Sequence, residues 1–120
     1  MLFLSISHAG NINSFRENYV NLSDAYFKSL DDQIQFEYGL KGKEKSNIEQ
    51  LEAKQKECLV EKSKMNLHQL IIDRYSAYQR YMQDIDESIQ TKNEFKLNQN
   101  VAQEHYLALK NELKKTQFSC

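Results

Sequence analysis

Residues 71–89 read IIDRYSAYQRYMQDIDESI, and within them Ile71, Tyr75, Tyr78, Met82, Ile85 and Ile89 follow at steps of four, three, four, three and four. That alternation gathers all six on one side of an α-helix. A half-buried strand would alternate by two instead. The 120-residue chain contains no proline, and proline inside a helix costs about 3 kcal/mol. The same rhythm covers most of the remaining sequence. It predicts an all-α fold: a long antiparallel helical hairpin, a two-helix coiled coil.

Upstream, Phe15, Tyr19, Leu22, Tyr26, Leu30 and Ile34 form an apolar stripe, opened by Ser14-Phe15-Arg16-Glu17 with the spacing of a capping box. Asp24 and Lys28 stand beside it at i,i+4 spacing. Gly39-Leu40-Lys41-Gly42 then interrupts the pattern, since glycine costs about 1 kcal/mol relative to alanine within a helix. Ser46-Asn47-Ile48-Glu49 repeats the capping-box spacing. Behind it Ile48, Leu51, Gln55, Cys58, Lys62 and Met65 make a seam weakened by Gln55 and Lys62. Downstream, Phe95, Gln99, Ala102, Tyr106, Leu109 and Leu113 resume the heptad with a three-residue slip. Such a slip is a stammer, predicting a local distortion over residues 91–96.

Two architectures fit. A turn at residues 39–45 gives a short first arm and a second helix of about 105 Å. A turn near Ser63-Lys64-Met65-Asn66 gives two arms of roughly 70–75 Å each. The second buries more of both stripes and is the expectation, with a defect at the glycines. Residues 1–12 are expected to be a flexible arm and residues 13–117 a single hairpin domain.

The formal net charge is −1, divided as −3 over residues 1–40, +2 over 41–64 and zero over 65–120. This argues against nucleic acid as a partner. Seven lysines between Lys41 and Lys64 are interleaved with five glutamates, as on a solvated mixed-charge face. Cys58 is expected to be a buried small residue and Cys120 a free terminal thiol, both suited to a reducing cytoplasm. The opening Met1-Leu2-Phe3-Leu4-Ser5-Ile6 lacks a basic flank and the ~7–15 apolar residues of an export signal. No stretch approaches the ~20 apolar residues of a membrane span.

No catalytic residue, metal or cofactor is expected. His8, His68 and His105 lack zinc-ligand spacing. Asp84, Asp86 and Glu87 cluster without a fixed partner. The distinctive surface is the aromatic and arginine-rich start of the quoted stretch. Aromatic residues beside arginine are enriched at protein interfaces, so Ile72, Arg74, Tyr78, Arg80 and Tyr81 are the candidate partner-binding residues. For Tyr75 and Tyr78 the competing role is to widen the hairpin core.

The stretch Gly39-Leu40-Lys41-Gly42-Lys43-Glu44-Lys45 followed by Ile48-Glu49-Gln50-Leu51 resembles the first arm of the invasion-system InvI proteins. So do Leu67-His68-Gln69-Leu70-Ile71-Ile72-Asp73-Arg74-Tyr75-Ser76-Ala77-Tyr78-Gln79-Arg80 and Asp84-Ile85-Asp86-Glu87-Ser88-Ile89-Gln90. These proteins group with FliJ and YscO, the small cytoplasmic stalks of type III secretion. The resemblance, over residues 20–115, implies an antiparallel coiled coil that enters the export ATPase, contacts the export-gate membrane protein and handles secretion chaperones. The chain departs from that pattern in being shorter and less basic. A secretion chaperone or adaptor that binds a partner helix, and a secreted needle-type subunit, are the alternatives.

Overall fold

The computed structural model describes residues 2–120, with side chains described from Ser14 onward. Four helices follow in order: α1 (Leu2–Gly39), α2 (Asn47–Asp73), α3 (Tyr75–Asp84) and α4 (Lys92–Leu113). The all-α class is as expected, but the two-helix hairpin is not. Both α1 and α4 pack along α2, which makes a helical bundle. The chain extends 60 × 29 × 27 Å. Its radius of gyration is 17.8 Å, against about 14 Å for a compact chain of this length. It is elongated, though shorter than the expected hairpin. Residues 2–12 of the expected flexible arm belong to α1 in the backbone, and their side chains lie outside the described residues.

The chain reverses twice, and neither reversal is at residues 63–66. Helix α2 runs straight through Ser63-Lys64-Met65-Asn66, where nothing in the sequence breaks a helix. The first reversal is the glycine segment. Lys41 and Gly42 both adopt positive φ, 51° and 73°, a region that glycine enters without a Cβ penalty. Ser46 then starts α2 with both halves of a capping box: its hydroxyl accepts from the Glu49 N–H, and its own N–H donates to Glu49 Oε1. The Ser14 spacing, by contrast, lies inside α1 and starts no helix. There Ser14 Oγ takes a long 3.5 Å bond from Asn18.

The second reversal spans residues 85–91, which the heptad pattern assigned to a continuous helix. Asp86 turns to a positive φ of 56°, and the Glu87 N–H returns to the Met82 carbonyl at 2.9 Å. Two tyrosine hydroxyls tie this loop down: Tyr75 donates to the Gln90 carbonyl, and Tyr78 accepts from the Gln90 N–H. Thr91 then caps α4 by accepting from the Glu94 N–H at 3.1 Å. The three-residue slip at 91–96 therefore marks a change of direction, not an overwound coil. Ile85 and Ile89 leave the seam and are exposed.

Helix α2 has two working faces. Lys56 lies over the Phe36 ring and Arg74 over the Phe15 ring, both on α1. Their sequence separation of 18 residues, from 56 to 74, is about five turns, so they share one side. Lys54, Glu61 and His68 instead meet Glu112, His105 and Phe95 on α4. At about 100° per residue the two sets fall on roughly opposite sides of α2. The α1 side is mostly apolar. The α4 side carries more polar contacts, including a 3.1 Å bond from Gln99 to Gln69.

Two clusters hold the helices together. One gathers Phe15, Leu67, Ile71, Tyr78, Met82 and Phe95. Arg74, between α2 and α3, is off helical geometry at φ −129°, ψ 48°. That break separates α3, which carries Tyr78 and Met82 into this cluster, from α2. The other cluster joins Cys58, Leu109 and Leu113, with Leu51, Tyr106 and Phe118 against it. Cys58 is buried, as expected, but Cys120 is not free. The two form a disulfide across a sequence separation of 62. The α4 stripe puts Leu109 and Leu113 beside Cys58, and the C-terminal turn then returns Cys120 to it.

Candidate partner-binding surface

The five residues singled out in the sequence occupy three different environments. Tyr78 is 3% exposed and stands edge-on to Phe95 at 5.2 Å between centroids. Its ring serves the interior. Ile72 is partly buried against the same cluster. Arg74 supports the α2–α3 break, with its guanidinium over Phe15 at 5.6 Å. Only Arg80 and Tyr81 share an open cleft, of about 370 Å³, with Phe15, Arg16, Ala77, Asp84 and Ile85.

Tyr81 is half in the core even so. Its ring meets Tyr19 at 5.3 Å and Phe15 at 6.3 Å. Burial pushes the Tyr19 phenol above its ordinary range, with smaller pushes from Tyr78 and Tyr81. The Tyr19 hydroxyl therefore stays protonated and is no base.

The histidines divide similarly. His68 meets Phe95 edge-on at 5.4 Å. Burial first, and then Lys64, lower its pKa below the ordinary imidazole value, against an opposing pull from Glu61. His105 sits between two α2 carboxylates, with Nε2 2.9 Å from Glu57 and Nδ1 3.7 Å from Glu61. Glu61 also pairs with Lys64 at 3.4 Å. This is a polar clamp between α2 and α4. Among the described residues, no group of three or more histidine, cysteine or acidic side chains could hold a metal ion. Likewise, none of their helices is long and apolar enough to cross a membrane.

Exposed apolar side chains lie elsewhere: on α4, where Leu97 and Val101 are 66% and 68% exposed, and on α1. Phe27, Ile34 and Tyr38 are 63%, 59% and 79% exposed. Ile34 was expected in the buried stripe with Phe15, Tyr19, Leu22, Tyr26 and Leu30. The covered side of α1 passes instead to Gln33, Phe36 and Leu40, with Phe36 packed under Lys56 of α2, so Ile34 faces outward. Ile34 and Tyr38 line a cleft of about 770 Å³ with Gln33, Glu37, Lys41 and Gly42, beside the first reversal. The signal was in the sequence: Val20, Phe27 and Ile34 recur every seventh residue, a second apolar row beside the first.

Comparison with known proteins finds no family model, no curated protein and no solved structure that matches this chain.

Proposed function

We propose that this protein is a non-enzymatic helical coupling protein of the type III export machinery. In this reading it works on the cytoplasmic side, between the export ATPase and the export gate, and helps to pass on chaperones and their cargo. The observation that carries a binding role is the form of α1. One face packs on α2 while another displays Val20, Phe27, Ile34 and Tyr38 to solvent. A helix so divided is suited to hold the bundle and a partner together. The export setting is supported by the resemblance of residues 39–51 and 67–90 to stalk proteins. The antiparallel α1–α2 pair supplies the hairpin such a stalk needs.

The test is association. The full chain should pull down its cognate export ATPase or the cytoplasmic part of the export gate, and its deletion should stop secretion. Failure of both associations together with intact secretion removes the reading.

One observation favours a second reading, an adaptor that binds a partner helix in an oxidising compartment. The Cys58–Cys120 bridge is of a kind seldom kept in a reducing cytoplasm. Alkylating free thiols in intact cells separates the two. Blocked, bridged cysteines support the adaptor, and two reactive thiols support the cytoplasmic coupling protein.

A further inference from the structure

The Cys58–Cys120 bridge joins two residues of unequal access. Cys58 is 0% exposed and sits in the cluster with Leu109 and Leu113. Cys120 packs against that cluster and is partly exposed. It borders an open cleft of about 370 Å³ with Leu107, Lys110, Asn111, Lys114 and Ser119, and Cys58 is not among the residues that line it. Both charged residues at this cleft are lysines. Glu112, which lies between them in sequence, is turned to Lys54 on α2 at 2.7 Å. Residues 114–120 follow the end of α4. They are tied to α2 by the bridge and by the Gln55 side chain, which donates to the Ser119 carbonyl at 3.1 Å, while Phe118 packs on the cluster.

A disulfide opens when a thiolate attacks one sulfur and the other leaves, so access decides which sulfur is attacked. Here the sealed Cys58 can only be the one that leaves. We propose that Cys120 is a mixed-disulfide site for a small thiol, and that exchange there releases the segment 114–120 from α2. The thiolate of the incoming thiol, RSH, enters by the cleft and bonds to Cys120 Sγ. The bond between the two cysteine sulfurs breaks, and its electron pair goes to Cys58 Sγ. An apolar cluster disfavours a charged sulfur, so Cys58 takes up the proton that the incoming thiol gave up. The products are Cys120–S–S–R and the Cys58 thiol, and the thiol RSH is the only co-reactant. Lys110 and Lys114 favour the anionic attacker over its neutral form. With the bridge gone, one exposed hydrogen bond and the half-buried Phe118 ring are too little to offset the entropy of ordering the segment. Return of the segment lets Cys58 displace R, so the change is reversible. The inference concerns the chain's own chemistry and stands apart from both functional readings.

The probe is glutathione, added in excess to the oxidised full chain without denaturant. Samples are quenched with acid at intervals, unfolded, blocked with N-ethylmaleimide and mapped by mass spectrometry. Glutathione should appear on Cys120 and the maleimide on Cys58. Adducts on Cys120 should exceed those on Cys58 by about tenfold or more. Trypsin should cut after Lys114 and Lys115 faster in the adduct than in the bridged chain, by about tenfold.

Unfolding is the rival route, because both sulfurs are equally open in an unfolded chain. Low urea separates the two. Adduct formation through the cleft should change little below the unfolding transition, whereas a rate that climbs with the unfolded fraction overturns the proposal. Equal adducts on the two cysteines overturn it as well, as does a bridge that opens with no adduct on Cys120 at any time. An adduct that trypsin cuts no faster than the bridged chain would reject release of the segment. Lys110→Gln with Lys114→Gln changes two exposed side chains, so circular dichroism should be unaltered. In low salt this variant should form the adduct about threefold more slowly. An unchanged rate would rule out the cleft as the way in.

Discussion

Opening the Cys58–Cys120 bridge tests how the C-terminal end of the bundle is held. The bridge closes a loop across 62 residues. In the chain-entropy account, a loop of that size restrains the unfolded state by about 4 kcal/mol. A chain of 120 residues melts with an entropy of roughly 0.25 kcal/mol per kelvin. Reduction should therefore lower Tm by roughly 15 °C. Cys120→Ser should give a loss of similar size. It is the better variant, because Cys58 lies in a fully buried cluster where serine would add a desolvation cost of its own. The assay is thermal or urea unfolding of the intact chain with and without reductant, followed by far-UV circular dichroism. Oxidised and reduced protein melting within about 2 °C of each other would refute the reasoning. A loop of this length cannot be closed in the native state alone without changing the unfolded one.

Three further outcomes follow from the packing. Burial lowers the His68 pKa below its ordinary value of 6.5, so the unfolded chain takes up the proton first; stability is full above that value and falls as pH drops below it. A Tm–pH curve should show the fall, and His68→Gln should flatten it. Thr91→Ala removes the acceptor that starts α4 and should cost about 1 kcal/mol in urea unfolding. Arg80→Ala, on an exposed side chain, should stay within about 0.5 kcal/mol of the parent, whereas Tyr81→Ala, losing contacts with Phe15 and Tyr19, should cost about 2 kcal/mol or more. Equal effects in the last pair would place Tyr81 outside the core.

Helix content and most core positions were legible from spacing alone. Phe15, Cys58, Ile71, Tyr78, Met82, Phe95, Ala102, Leu109 and Leu113 are all buried where the stripes put them. The glycine reversal and the Ser46 cap were also legible, because both depend on local backbone chemistry. The second reversal was not. Its loop carries Ile85 and Ile89 in heptad register, and an apolar rhythm does not distinguish a helix from a loop that keeps the same count. The Thr91-Lys92-Asn93-Glu94 cap was the available signal, and the slip in phase was its consequence. The two-faced use of α2 was hidden for another reason. A single-seam reading discounts Lys54, Glu57, Glu61 and His68 as solvent-facing, yet they meet α4. Among the candidate binding residues, periodicity could separate neither Tyr78 from Tyr81 nor Ile34 from Leu30. Which of two adjacent faces is covered depends on the path of the neighbouring helix, which on α1 passes from Leu30 to Gln33 and Phe36.

Each reversal is seven residues long, 40–46 and 85–91, and each joins helices that are neighbours in the chain. The pairing of α2 with α4 nonetheless joins helices with α3 between them and reaches from Lys54 to Glu112. The disulfide closes a span as long as these packing contacts do. Until α4 has closed over α2, Cys58 and Cys120 remain open to other thiols. In the folded bundle the docking of α4 on α2 is what holds Cys120 beside Cys58.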